Sequence, residues 1–219
     1  MMEKGNSKII AVVALFVAVV ALAVGFATYS ATLTIQPHDV TVGSDTFSPN
    51  IKYRASSMSC TDKSADAVVT SAGTVNGTAW SGIELSLAKP GDYVTCTATV
   101  ENTSNFDAFL REINTSSAIT CQSKTGSANA ATTGITESCA QMELVINQGT
   151  ASATATSTAA ASNTTVSNVK IDKLNGSTAG TKDVSFTIRY KTGGTVEADG
   201  DFIVKVPQVN LIYKTEDAS

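Results

Sequence analysis

Residues 93–100 read YVTCTATV. Val94, Cys96, Ala98 and Val100 fall on one parity and Thr95, Thr97 and Thr99 on the other, so an extended chain carries an apolar row on one face and a hydroxyl row on the opposite face. That is the pattern of an antiparallel strand buried on one side and wet on the other. The residues just before it, Lys89-Pro90-Gly91-Asp92, are turn chemistry. Proline presets φ at the first central position of a type II turn, and glycine accepts the positive φ of the second. Ile83, Leu85 and Leu87 alternate upstream, giving a strand, turn, strand unit with a cysteine on its buried face.

The pattern recurs along the chain. Val184, Phe186, Ile188 and Tyr190 alternate ahead of Thr192-Gly193-Gly194. Phe202, Val204 and Val206 share one parity while Val209, Leu211 and Tyr213 share the other. Pro207-Gln208 between them therefore marks a bulge or a crossover between sheets, where a missing backbone N–H is tolerated. Further strands are expected over 31–35, 47–53, 108–113 and 142–146. About eight to ten strands result, as in a sandwich or jelly roll. The expected class is all-β: an antiparallel β-sandwich or jelly roll over residues 31–219, preceded by one N-terminal hydrophobic helix. Two stretches are expected as excursions from that core. Residues 114–140 are poor in large apolar side chains, and residues 148–165, QGTASATATSTAAASNTT, are low-complexity and lack bulk. The second is expected as a surface loop, an O-glycosylated patch or a pairing edge for a neighbouring subunit.

Residues 1–30 are of another kind. An uncharged apolar run extends from residue 9 to residue 27, Lys4 and Lys8 precede it, and no further Lys or Arg occurs before Lys52. The positive-inside rule then leaves the N-terminus in the cytoplasm and exports the remainder to the cell surface or beyond. The run suits a spanning helix, which needs about 20 apolar residues, better than a signal h-region of about 7 to 15. Small residues nevertheless allow cleavage after Ala27 or after Ser30. Residues 1–30 thus read as a signal peptide or an N-terminal membrane anchor, in contact with the membrane at least transiently. Glu3-Lys4-Gly5 also resembles the leader of type IV prepilins, which are cut after the glycine and keep their apolar helix. Asn6 and Ile10 stand where bacterial pilins usually carry an aromatic residue or Met, and a Glu.

Four cysteines, Cys60, Cys96, Cys121 and Cys139, are an even number in a chain that reads as exported, which favours two disulfides. Three connectivities exist. Pairing Cys60 with Cys96 and Cys121 with Cys139 is preferred, because closing the loop between the last two restrains a Gly/Ser/Thr/Ala segment that packs poorly alone. No pair has the Cys-x-x-Cys spacing of a structural zinc site.

Lys and Arg number 15 against 19 Asp and Glu, so the chain has no basic excess to neutralise phosphates and nucleic acid is not an expected partner. No metalloprotease, nucleophile-elbow or phosphate-loop motif is present, and no cofactor or small-molecule ligand is specified. His38, the single histidine, sits in QPHDV and reads as a loop residue. Asp39 with Asp45, and Asp199 with Asp201, lack the spacing of an EF-hand and read as solvated turns. Trp80 in NGTAWSG reads as a core cap, or as a carbohydrate-stacking or interface residue. Sequons occur at Asn76, Asn102, Asn114, Asn163 and Asn175, against roughly three from composition alone.

Three stretches together, GFATYSATLTI, IELSLAKPGDYVTCTATVENTSNFDAFL and FIVKVPQVNLIY, resemble the TasA and camelysin family of exported biofilm-matrix proteins and their archaeal pilus relatives. In that family a strand leads through a Pro-Gly-Asp turn into a strand that closes on an Asn-x-Ser/Gly turn. Here those positions are 85–87, Pro90-Gly91-Asp92, 94–100 and Asn102-Thr103-Ser104; residues 114–165 are unmatched. The resemblance implies a jelly-roll subunit that polymerises by donating its freed N-terminal strand into a groove of the next subunit, with Ala31, Leu33 and Ile35 as the donor residues. The competing reading makes 31–35 the first strand of its own domain. The expected function is that of a non-enzymatic, exported cell-surface protein, a self-assembling fibre or matrix subunit or an anchored adhesion module. The alternatives are a type IV pilin-like subunit and a surface carbohydrate-binding module or enzyme.

Overall fold

The computed structural model describes residues 30–35, through their backbone, and residues 50–62, 64, 67–124, 131–193, 198, 200 and 202–215. The apolar run with its expected helix, Ala27, His38, Asp39, Asp45, Asp199 and Asp201 lie outside the described residues. Among the described residues no helix is long and apolar enough to cross a membrane.

The fold is an all-β sandwich of two sheets that are antiparallel but for one pairing. In chain order the elements are β1 (Ser30–Ile35), β2 (Ile51–Tyr53), β3 (Ser59–Asp62), β4 (Val68–Asn76), β5 (Ala79–Ser86), β6 (Tyr93–Asn102), β7 (Ala108–Thr115) and β8 (Thr120–Ser123). There follow a short helix α1 (Ile135–Ala140), β9 (Met142–Gln148), β10 (Ala151–Thr156), β11 (Ser162–Asn163), β12 (Lys170–Ile171), β13 (Gly180–Tyr190), β14 (Phe202–Lys205) and β15 (Val209–Lys214). The first sheet runs β11-β7-β15-β1-β5-β4, with β12 also on β7, and the second runs β10-β9-β13-β6-β2, with β3 also on β6. A separate ribbon pairs β14 with β8.

The strand of residues 93–100 sits at the centre of the second sheet. Val94, Cys96, Ala98 and Val100 are buried and the threonines face outward, since the period of two gives each face one chemistry. Gly91 takes φ 102°, and Asp92 N–H donates to Lys89 O at 3.1 Å, closing the Pro-Gly turn. Both disulfides have the preferred pairing, Cys60 to Cys96 across β3 and β6, and Cys121 to Cys139 from β8 to α1. Pro207-Gln208 divides the last strand pair between sheets: β14 joins the ribbon and β15 the first sheet. Such a switch leaves the proline outside any ladder.

Three expectations change. The 148–165 stretch contributes β10, whose Ala151, Ala153 and Ala155 are buried while Ser152 and Thr154 are exposed. Alanine suits this seam, where Asn163 Nδ2 donates to Ser152 O at 2.9 Å and brings the edges of the two sheets together. Residues 114–140 are likewise not wholly peripheral. Ile119 is buried, its N–H donating to Thr156 O at 2.8 Å, and the disulfide fastens β8 and α1 as a cap on one pole. More strands form than expected, because β3, β4, β8 and β10 carry too little apolar bulk to be read from hydropathy.

Register fixes two poles. At one, β6 passes into β7 through residues 103–107, and Ile51, Gly180, Lys170 and Lys214 lie at the same level. At the other lie Tyr93, Tyr190, Thr115 and Val209, with β8, β14 and α1 beyond them.

Candidate functional site

The feature that distinguishes this sandwich is how β1 is held. On one side it runs antiparallel to β15 over its whole length, Ser30 opposite Lys214 and Ile35 opposite Val209. On the other it runs parallel to β5, with Thr34 opposite Ala79 and Ile35 opposite Trp80. It is the one parallel pairing among the described residues. Without β1 the first sheet falls into two pieces, β11/β12-β7-β15 and β5-β4. The chain's first described segment therefore fills a slot in the middle of a sheet made from its last strand and an early hairpin.

The walls of the slot are apolar and ordered. Val209, Leu211 and Tyr213 are buried, and Ala31, Leu33 and Ile35 hold the positions opposite Tyr213, Leu211 and Val209. The apolar parity of the N-terminal strand thus coincides with the buried parity of its neighbour. Tyr213 reaches across the sandwich, its hydroxyl donating to Gln148 Oε1 at 2.5 Å. Trp80 is fully buried, its indole N–H donating to Ala72 O at 2.7 Å and its ring edge-on to Phe186 at 5.4 Å and to Tyr53 at 6.1 Å. A carbohydrate-stacking role for Trp80 is thereby excluded; it is a core residue. Gly73, at φ 77°, is required beside it, since a Cβ there would lie 2.9 Å from Trp80 Nε1 and 2.3 Å from Ser81 O.

Burial pushes the Tyr53 hydroxyl well above its ordinary range, and nearby Tyr213 adds to this. Burial likewise raises Tyr213, with the bond to Gln148 opposing. Both phenols stay neutral, as burial disfavours a charged group. Tyr53 Oη and Gln148 Nε2 are buried with no partner among the described residues.

No family model, characterised protein or solved structure matches this chain.

The remaining candidates separate by position. Asn102 is fully buried, Nδ2 donating to Phe106 O at 2.8 Å and Ile171 O at 3.3 Å while Oδ1 accepts from Ser104 N–H and Oγ–H. It braces the turn and does not offer its amide to a glycosylating enzyme in the folded chain. Asn114 is half-buried, donating to Glu112 and accepting from Asn210 Nδ2 at 2.7 Å. Asn163 is half-buried and holds the sheet seam, whereas Asn76 and Asn175 are exposed in or beside turns. Among the described residues no three His, Cys, Asp or Glu side chains gather as a metal site. Ser138 is buried and accepts from Tyr190 Oη at 2.9 Å and Ala198 N–H at 2.8 Å, which makes it a clasp between α1 and β13. Neither Ser138 nor Gln148 carries a signal in the sequence, since isolated polar residues are ordinarily solvated. The two disulfides fit an oxidising, extracellular-type environment.

Proposed function

We propose that this chain is an exported, non-enzymatic structural subunit that assembles with its own kind by strand exchange, its β1 leaving the slot of its own domain and completing that of a second copy. The position of β1 carries the reading. A terminal strand is topologically free to withdraw, and its removal opens two sheet edges at once, each with unpaired N–H and C=O groups. An alternating apolar strand from another copy satisfies both the ladders and the buried parity. Domain swapping of an identical element is a low-cost route to association. The resemblance to the TasA and camelysin family, with its jelly-roll subunits, points the same way, as does the passage from the apolar run into β1 with almost no linker. Cleavage after Ala27 leaves all of β1 intact; cleavage after Ser30 trims its first residue. Either frees the strand end, and an uncut chain keeps the domain against the membrane as an anchored module.

The test is the state of protein recovered from the native cell envelope. N-terminal sequencing that begins at Thr28 or Ala31, together with fibres in electron micrographs, supports exchange. An intact N-terminus on a monodisperse monomer contradicts it.

A further inference from the structure

Resting on the strand-exchange reading, we infer that Tyr213 decides which strand the slot accepts and in which register, by admitting only a small residue at the position Ala31 holds. The strand that meets this demand is β1 of a second copy of this chain. Three rows of register partners cross β7, β15 and β1: Leu110, Tyr213 and Ala31; Ile113, Leu211 and Leu33; Thr115, Val209 and Ile35. Sizes are complementary along these rows. Where β7 and β15 supply leucine and tyrosine, β1 supplies alanine; where they supply threonine and valine, β1 supplies isoleucine. Close packing makes each row sensitive to volume, so a residue of the wrong size at one position is felt by its neighbours.

Tyr213 is the member of these rows that cannot give way. It is fully buried, its hydroxyl is held by Gln148 Oε1 at 2.5 Å, and buried Leu110 occupies the register position on its far side. Gln148 is itself buried and fixed in β9, opposite Ala151 of β10 and Val184 of β13. Swinging the ring aside breaks that hydrogen bond and drives the side chain from its rotamer. Other registers fail at the same residue. A slip of two places sets Leu33 opposite Tyr213 and Ile35 opposite Leu211, and the reverse slip sets Tyr29 opposite Tyr213. A slip of one place brings the threonines of β1 to the buried row. Only the observed register sets the smallest apolar residue of the strand against the largest residue of the slot.

The experiment mixes full-length chains, exported by their own N-terminal segment. Donors carry Thr32→Cys, acceptors carry Ile212→Cys, and the disulfide between these register partners is read on a non-reducing gel. The four native cysteines are already paired. Adding Ala31→Leu to the donor is expected to lower the yield of mixed crosslinks about tenfold, because overpacking is costly. Thr34→Leu adds bulk on the other parity and is expected to leave the yield unchanged. An acceptor widened by Tyr213→Leu is expected to take the Ala31→Leu strand at the parent level; if that acceptor does not fold, the donor comparison decides alone. Equal yields from the Ala31→Leu and parent donors, equal losses from Ala31→Leu and Thr34→Leu, or a folded Tyr213→Leu acceptor that still rejects the Ala31→Leu strand, overturn the size rule and leave strand exchange standing. Parent donors that give no mixed crosslink overturn strand exchange instead. The size rule is then read within the monomer, where Ala31→Leu should lower the melting temperature by about 5 °C and Thr34→Leu should not; equal melting temperatures overturn it.

Discussion

Ile35 of β1 and Trp80 of β5 are register partners in a parallel pair, while Ile35 also lies opposite Val209 in the antiparallel pair with β15. One strand thus joins the two halves of the first sheet. Trp80 is the only tryptophan in the chain and is buried in the core, so its emission reports on the slot.

Deleting residues 30–35 should lower the melting temperature by about 10 °C or more, as expected for several kcal/mol in a domain of this size, and should shift Trp80 emission to the red. A synthetic SATLTI peptide should reverse both changes. An unaltered melting point and spectrum would show that β1 does not hold the sheet together.

Tyr213→Phe removes the donor to Gln148 Oε1 and leaves a buried carboxamide without its partner. The expected loss is about 1–3 kcal/mol in urea unfolding. Adding Gln148→Leu, which removes the orphaned amide, should recover part of it; a double variant less stable than the single one would contradict this account.

Asp92 is buried and accepts N–H groups from Ala88 at 2.8 Å and Lys89 at 3.1 Å. Burial pushes its carboxyl up, but those amides, the Ser64 hydroxyl and the Lys89 charge outweigh it and hold the group below the usual carboxylate range. The unfolded carboxyl titrates near pH ~3.9, so its contribution is full above about pH 4 and is lost as pH falls through the lower folded value. Asp92→Asn should therefore cost about 1.5–3 kcal/mol at neutral pH, the range for hydrogen bonds to a charged group. The gap to the parent protein should shrink toward pH 2 in thermal melts.

Cys60 and Cys96 are separated by 36 residues and join edge strand β3 to central β6. Replacing both with serine should cost about 3–4 kcal/mol on the chain-entropy model. Amide exchange should quicken first in residues 59–62, where most side chains are already exposed. Uniform quickening across β6 and β13 would mean that the bridge holds the core and not the edge.

Peptide mapping of the native protein offers a separate check. Glycans, where the host attaches them after folding, should be found at exposed Asn76 or Asn175 and not at Asn102, whose side chain is enclosed by Phe106, Ser104 and Ile171. A glycan at Asn102 would mean that the 102–107 turn is built differently.

The sequence and the fold agree where alternation meets bulk. Val94 to Val100, Val184 to Tyr190 and Val209 to Tyr213 announce their buried faces, because large side chains repeat at a period of two. Agreement fails where burial is achieved with small or irregular residues. In β10 three alanines are buried with too little hydropathy to stand out, and in β4 a register shift between Val69 and Ser71 with a left-handed Gly73 breaks the alternation. Half of the candidate site was legible. Ala31, Leu33 and Ile35 declare a strand, but the parallel neighbour bearing Trp80 follows from a long-range crossover that no local pattern encodes. The core position of Trp80 is set by Tyr53 and Phe186, which lie far from it along the chain.

The most direct test mixes two singly substituted chains, Thr32→Cys and Ile212→Cys, whose positions are register partners. The chains are mixed before assembly, and covalent products are read on a non-reducing gel. Strand exchange predicts mixed crosslinked pairs joining β1 of one copy to β15 of another. If the mixture yields none, while a chain carrying both substitutions crosslinks within the monomer, β1 belongs permanently to its own domain and the fibre account is wrong.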